Sequence, residues 1–157
     1  MNVREVMRKE VITCQIDDTI RTASSLLKEN NISGMPVMDG DRLAGIVTES
    51  DLLKLLDLPE HRQGLWLPSP LEIIEIPLRE LIGWEEAKKA LTDVGDKPVL
   101  MIMTKKVHTI SPDDSIEAAS ASITSHRINR LPVIENDQLV GIVTRGDIIR
   151  GLALAVT

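Results

Sequence analysis

Gly45-Ile46-Val47-Thr48-Glu49-Ser50-Asp51 decides how this chain is read, because it returns as Gly141-Ile142-Val143-Thr144-Arg145-Gly146-Asp147. Thr144 minus Thr48 is 96, and the same offset links Pro36 to Pro132 and Val11 to Val107. The register runs without a gap from Met7/Met103 to Asp51/Asp147. A period this long lies well beyond the roughly 20–50 residues of solenoid repeats, so it marks a duplicated unit. The chain therefore reads as one pseudo-twofold object whose function lies between its halves. Its three parts are residues 1–56, a connector over 57–101, and residues 102–157.

Working outward from the quoted stretch, Leu43 to Val47 is a strand, and a closing helix follows through Leu52, Leu53, Leu55 and Leu56. Met35-Pro36-Val37-Met38 is the preceding strand, joined to it by the tight turn Asp39-Gly40-Asp41. Further upstream, Asp17-Asp18-Thr19 supplies capping side chains for a helix with Ile20, Ala23 and Leu27 on one face. Asn30-Asn31 ends that helix, and Val11-Ile12-Thr13-Cys14 precedes it as a short β-branched strand. A helix connects the first two strands, which predicts a parallel pair with a right-handed crossover. Residues 3–8 form a short leading helix or turn.

The second copy repeats this β-α-β-β-α order. Val107-His108-Thr109-Ile110 is the first strand, Pro112-Asp113-Asp114-Ser115 the cap, and Ile116, Ala119 and Ile123 the helix face. Leu131-Pro132-Val133-Ile134, the turn Glu135-Asn136-Asp137 and Leu139 to Val143 make the hairpin, and Ile148, Ile149 and Leu152 lie in the closing helix. Three strands and two helices leave apolar surface uncovered, so an α/β (α+β) fold is expected in which the two copies pack sheet to sheet. The connector is too long for an ordinary loop. Pro59, Pro68, Pro70 and Pro77 punctuate it, Pro77 to Ile82 and Glu85 to Leu91 read as helix, and Trp66 and Trp84 read as buried anchors. It caps one face of the pair or mediates dimer contacts, and the sequence leaves both open.

Composition removes several function classes. The chain has 157 residues, 43% of them apolar, with no Phe or Tyr and two Trp. Base recognition by rows of stacked aromatics is therefore excluded, and a net charge of −6 argues against coating nucleic acid. Residues 1–53 and 54–101 each carry six Lys+Arg against nine Asp+Glu, whereas residues 102–157 carry six of each, so an anion-binding bias falls on the second repeat. The single cysteine, Cys14, cannot form an internal disulfide and reads as a small apolar residue at a strand end. The N-terminus lacks an apolar signal core, and no run approaches the ~18 apolar residues of a membrane span. A soluble cytoplasmic protein with neither nucleic-acid nor membrane partners is expected. His61, His108 and His126 show no metal-ligand spacing with Cys14. Neither a Ser-His-Asp set, a P-loop nor a dinucleotide fingerprint is present.

Both copies carry a Thr ahead of an Asp-Asp pair and an Ile (Thr13, Asp17-Asp18-Thr19-Ile20; Thr109, Asp113-Asp114-Ser115-Ile116). Both continue with Pro-Val and end on Gly-Ile-Val-Thr-x-x-Asp. In this they resemble the cystathionine-β-synthase (CBS) domain, and together they resemble a tandem CBS pair, or Bateman module. The resemblance covers about residues 3–56 and 102–153. It implies a disc-like pair with two clefts that hold adenosine-containing ligands such as AMP, ADP, ATP or S-adenosylmethionine. It also implies a regulatory, energy-sensing role without catalysis or a required cofactor, a homodimer, and a regulated protein partner that the sequence does not name.

The residues themselves say why such a ligand suits. Thr48 and Thr144 sit where a strand enters a helix, so backbone N–H groups and the positive end of the helix dipole face an incoming anion or polar sugar. Asp51 and Asp147, one turn in, can accept two hydrogen bonds from a cis-diol such as ribose. The resemblance gives the Asp this same ribose role. Thr-x-x-Asp is equally the pattern of a capping box, and the two roles are compatible. Val11, Ile12, Met35 and Pro36, with Val107, His108, Leu131 and Pro132, either wall an adenine or pack the core. Asn129-Arg130 precedes Leu131 where Ser33-Gly34 precedes Met35. In the similar gamma subunit of AMP-activated kinase, basic residues at this place contact nucleotide phosphates, a role that falls to Arg130 and not Gly34. Arg145, Lys105 and Lys106 can assist, Arg130 can serve either cleft, and all four can instead form a solvated basic face. Two unequal clefts are expected. The competing reading is a protein-interaction module with empty clefts. Tandem CBS units also occur within inosine-monophosphate dehydrogenase, but this chain leaves no room for a catalytic barrel.

Overall fold

The computed structural model describes residues 1–56, 88–89 and 92–156. The readings on the connector prolines, Trp66, Trp84 and the helix Pro77 to Ile82 lie outside the described residues. Of the helix expected over Glu85 to Leu91, only Lys88 and Lys89 are described, and both are helical. The element order is α1 (Val3–Val6), β1 (Cys14–Gln15), α2 (Ile20–Glu29), β2 (Gly34–Asp39), β3 (Arg42–Thr48) and α3 (Glu49–Leu56). It continues with a 3-10 turn at Val99–Met101, then α4 (Ile116–His126), β4 (Arg130–Glu135), β5 (Gln138–Thr144) and α5 (Arg145–Ala155). The fold is mixed α+β and carries the unit twice. Among the described residues no helix is long and apolar enough to cross a membrane.

Both first strands are shorter than expected. β1 is only Cys14–Gln15, paired in parallel with Val37 and Met38, and its counterpart in the second repeat is a single parallel bridge between Ile110 and Val133. Val11 to Thr13 and Val107 to Thr109 lie outside any ladder. The reason is that the lead-in segments are already engaged elsewhere. The Arg8 N–H donates to the Ile142 carbonyl at 2.9 Å and the Ile142 N–H to the Arg8 carbonyl at 3.0 Å. Thr104 and Ile46 make the matching pair at 2.8 and 3.0 Å. Arg8 and Thr104 are equivalent by the 96-residue offset, as are Ile46 and Ile142. Each repeat therefore lends its lead-in to the third strand of the other and must cross back before its own sheet begins.

The chain divides into two compact units that cut across the repeats. One comprises Met1–Ile16, Met35–Ile46 and Thr104–Thr157, the other Asp17–Gly34 and Val47–Met103. In the first unit α1 packs into the second repeat's core. Val3 is fully buried with Ile110, Ala119, Ile123, Leu131, Val133, Val143 and Ile148. Its N–H donates to the Asp114 carbonyl at 2.8 Å, and the Arg4 N–H to that of Pro112 at 2.9 Å. Arg4 also pairs with Asp113 and Glu135 at 3.2 and 2.6 Å. The β4–β5 turn puts Asn136 and Asp137 at φ 51° and 60°, the two positive angles that a tight two-residue hairpin requires.

In the second unit the Thr19 hydroxyl caps α2 by accepting the Thr22 N–H at 3.1 Å, and Ile20, Ala23 and Leu27 are buried as their spacing predicts. The Ile20 N–H donates to the Lys97 carbonyl and the Val99 N–H to that of Asp18, at 2.9 and 2.8 Å. Arg21 reinforces this seam through Asp96 at 2.5 Å.

Gly141 is where the exchanged segment passes closest. A Cβ there would stand 2.6 Å from the Met7 sulfur and 3.0 Å from the Arg8 carbonyl oxygen. Gly141→Ala is expected to cost about 1–3 kcal/mol through overpacking, read as a lowered urea midpoint.

Candidate functional site

The β4–β5 ladder sets Arg130 opposite Thr144, and this register builds the candidate site at the ladder's end. Thr144 is the last residue of β5 and the N-cap of α5. The Asp147 Oδ2 accepts the Thr144 N–H at 2.9 Å and the Thr144 hydroxyl at 2.8 Å, and the Thr144 Oγ1 accepts the Asp147 N–H at 3.3 Å. This is a complete capping box. The Arg145 N–H donates to the Asn129 carbonyl at 3.1 Å, and its guanidinium reaches the Asn129 Oδ1 at 3.5 Å. Asn129, Arg130, Thr144, Arg145 and Asp147 are thus brought together, with Arg130 and Asp147 buried and Asn129 and Arg145 exposed.

Asp147 also carries contacts that the sequence pattern does not announce. Its Oδ1 accepts Arg8 Nε at 3.2 Å and Arg150 Nη2. Its side chain is 0% exposed, against 56% for Arg8 and 60% for Arg150. Burial pushes the Asp147 carboxyl up, but the hydroxyl and N–H of Thr144 together with Arg8 outweigh it and hold the group below the usual carboxylate range. His108 stacks face to face on His126, the last residue of α4, with ring centroids 3.6 Å apart. Partial burial, then the charges of His126 and Lys106, push the His108 imidazole down.

The first repeat has the same cap with different charges. The Thr48 N–H and hydroxyl donate to the Asp51 Oδ2 at 2.9 and 3.1 Å, and the Asp51 N–H to the Thr48 Oγ1 at 3.3 Å. The Glu49 N–H donates to the Ser33 carbonyl at 2.9 Å, as Arg145 does to Asn129. Where the second repeat has Arg130 and Arg145, the first has Gly34 and Glu49.

The expected adenine walls divide by accessibility. Met35, Pro36, Leu131 and Pro132 are fully buried, which is the core-packing alternative, whereas Val11, Ile12, Val107 and His108 keep exposed surface. Val107 lines a groove of about 680 Å³ with Arg42, Ala44, Lys105, Thr109 and Asp137. A second groove of about 550 Å³ lies along Lys28, Ser33, Glu49 and Leu52. Neither includes Arg130 or Asp147. Charged and hydrogen-bonding side chains converge at the polar cluster and not in either groove.

The sequence profile of the CBS domain matches residues 3–58 and 94–154. The chain belongs to the CBS domain family. The Methanocaldococcus jannaschii protein MJ1426 is 37% identical over 154 residues, spanning 97% of this chain and 91% of that one. The crystal structure of CBSX2 in complex with AMP is similar at TM-score 0.71 and 24% identity, covering 99% of this chain and 98% of that one. The CBS domain pair of MJ0100, solved with 5′-methylthioadenosine and S-adenosyl-L-methionine, is similar at TM-score 0.68 and 22% identity with the same coverage. The chain is therefore a tandem CBS pair.

Within this CBS pair, the sequence does not single out Arg8, Glu49 or Arg150, and it offers His126 only as a charge complement at a helix C-terminus. The offset held a signal for three of them, since it sets Arg8 against Thr104, Glu49 against Arg145, and Arg150 against Lys54. His126 emerges only once α4 folds back beside residue 108.

Because its folded pKa is depressed, Asp147 contributes stability that is fully present above the unfolded value of about 3.9 and lost as pH falls through the folded value. Asp147→Ala is expected to cost about 2 kcal/mol at neutral pH, from a lost cap and charge-assisted bonds. In urea titrations the gap from the parent chain should narrow as the pH is taken below about 4.

Proposed function

We propose that this CBS pair is a regulatory, non-catalytic sensor of an adenosine-containing ligand: AMP, ADP, ATP or S-adenosylmethionine. The observation that carries the reading is the gathering of Asn129, Arg130 and Arg145 beside the Thr144–Asp147 cap. A guanidinium offers a planar fork of donors that fits a phosphate or carboxylate. An acid at a helix start offers acceptors to a ribose diol. His108, stacked and held toward its neutral form, gives a flat face for a purine. CBSX2 and MJ0100 hold adenosine compounds, but at their identities the likeness reaches only the fold.

The two sites are unequal in this reading. Gly34 and Glu49 give the first repeat no cation where the second has Arg130 and Arg145, so an anionic ligand prefers the second. Regulation then follows from differential affinity for two states of the chain, acting on a partner protein. Homodimerisation in the cytoplasm belongs to the same proposal. Leu53 and Ile149, equivalent by the offset, are 63% and 65% exposed on their helices and support it. A second reading, an interaction module whose clefts take no nucleotide, is favoured by one observation: both Asp147 oxygens already have donors.

Calorimetry with AMP, ATP and S-adenosylmethionine separates them. The sensor reading expects heat with at least one, a loss on Asp147→Ala, and about tenfold weaker AMP binding on Arg145→Glu, which copies the first repeat and removes a phosphate-facing charge. Silence with all three ligands would leave the interaction module.

A further inference from the structure

The Asp147 carboxylate is saturated. An ionised carboxylate offers about four acceptor positions, and four donors point at this one. Oδ2 takes the Thr144 N–H and hydroxyl, and Oδ1 takes Arg8 Nε and Arg150 Nη2. A ribose diol finds no acceptor here until a donor withdraws.

The four donors are not equally able to leave. The two from Thr144 are the cap of α5 itself. Arg150 lies three residues along the same helix and follows wherever the carboxylate goes. Arg8 comes from a different part of the chain, 139 residues away. Its backbone is fixed to Ile142 by two hydrogen bonds, yet more than half of its side chain is exposed while the carboxylate it holds is wholly buried. The guanidinium can therefore exchange its ion pair for water, and the carboxylate cannot. Releasing Arg8 leaves a charge on a buried carboxylate, so this contact yields only to a ligand that supplies donors in its place.

We infer that Arg8 is the gate of the second repeat's site. It holds Asp147 through its guanidinium, and an adenosine ligand enters by displacing it, an inference that rests on the sensor reading above. The position equivalent to Arg8 in the other repeat is Thr104, which carries no guanidinium. The second site thus combines the stronger anion attraction with a closed sugar acceptor. Ligand entry there also breaks the side-chain tie between residue 8 and α5, and so reports on the segment that both repeats share.

The experiment is calorimetry of AMP against the full chain, Arg8→Thr and Arg8→Gln, with Asp147→Ala identifying the heat that belongs to this site. Arg8→Thr copies the other repeat, and Arg8→Gln keeps the length and a donor without the charge, so one of them serves if the other does not fold. The expected result is AMP binding tightened about three- to tenfold at the Asp147-dependent site, more by Thr than by Gln. A merely structural Arg8 would weaken binding along with stability. Unchanged or weaker binding by both variants, with the parent chain still binding, overturns the gate and leaves the sensor reading intact. Absence of AMP binding by the parent and both variants overturns the gate, and silence with ATP and S-adenosylmethionine as well overturns the sensor reading.

Discussion

Two backbone bridges fix the arrangement on which everything else rests: Arg8 with Ile142, and Thr104 with Ile46. A β-strand with an open edge presents unpaired N–H and C=O groups, and each third strand meets that need at this point with the lead-in of the opposite repeat. Several features follow from the exchange. The first strands are short because the chain is still crossing between partners. Val3 and Val6 reach the second repeat because residue 8 is anchored there. Gly141 and Gly151 are glycines where Met7 and Val6 come within 2.6 Å of where a Cβ would stand. The same anchor carries the Arg8 side chain to Asp147.

Duplication supplied two equal scaffolds, and a few substitutions have made them chemically unequal. The cap geometry is the same in both repeats to within a few tenths of an ångström. What differs is charge at equivalent places: Gly34 against Arg130, Glu49 against Arg145, and Thr104 against Arg8. None of these changes alters the backbone plan, since each sits at a ladder end, a helix start or a bridge where the main chain makes the bonds. Charge can therefore diverge between the repeats while the fold stays fixed.

Much of this was legible in the sequence. The offset alone gave the two repeats, and apolar spacing gave the buried faces of α2 and α4. Thr19 and Ser115 announced their helix starts. Thr144-x-x-Asp147 gave both the cap and the candidate site, because its bonds are local and a local rule predicts local bonds. The crossings were not legible. Val11 to Thr13 have strand propensity but no partner strand, and no local rule reveals that Arg8 is held by a residue 134 positions away (142 − 8). The exposure of Ile149 and Leu152, at 65% and 49%, was hidden for a similar reason: an apolar stripe says what a helix can bury, not what it meets. Arg8 and Arg150 escaped as site residues because their role depends on where the third strand delivers Asp147.

The position of Val3 has a consequence for how the molecule assembles. Its slot is made by residues between Ile110 and Ile148, so α1 has nowhere to dock until the helix and hairpin of the second repeat are in place. Closure over so great a separation makes for slow folding relative to the local helices and hairpins. Val3 and Val6 thus close a core built by a segment far along the chain.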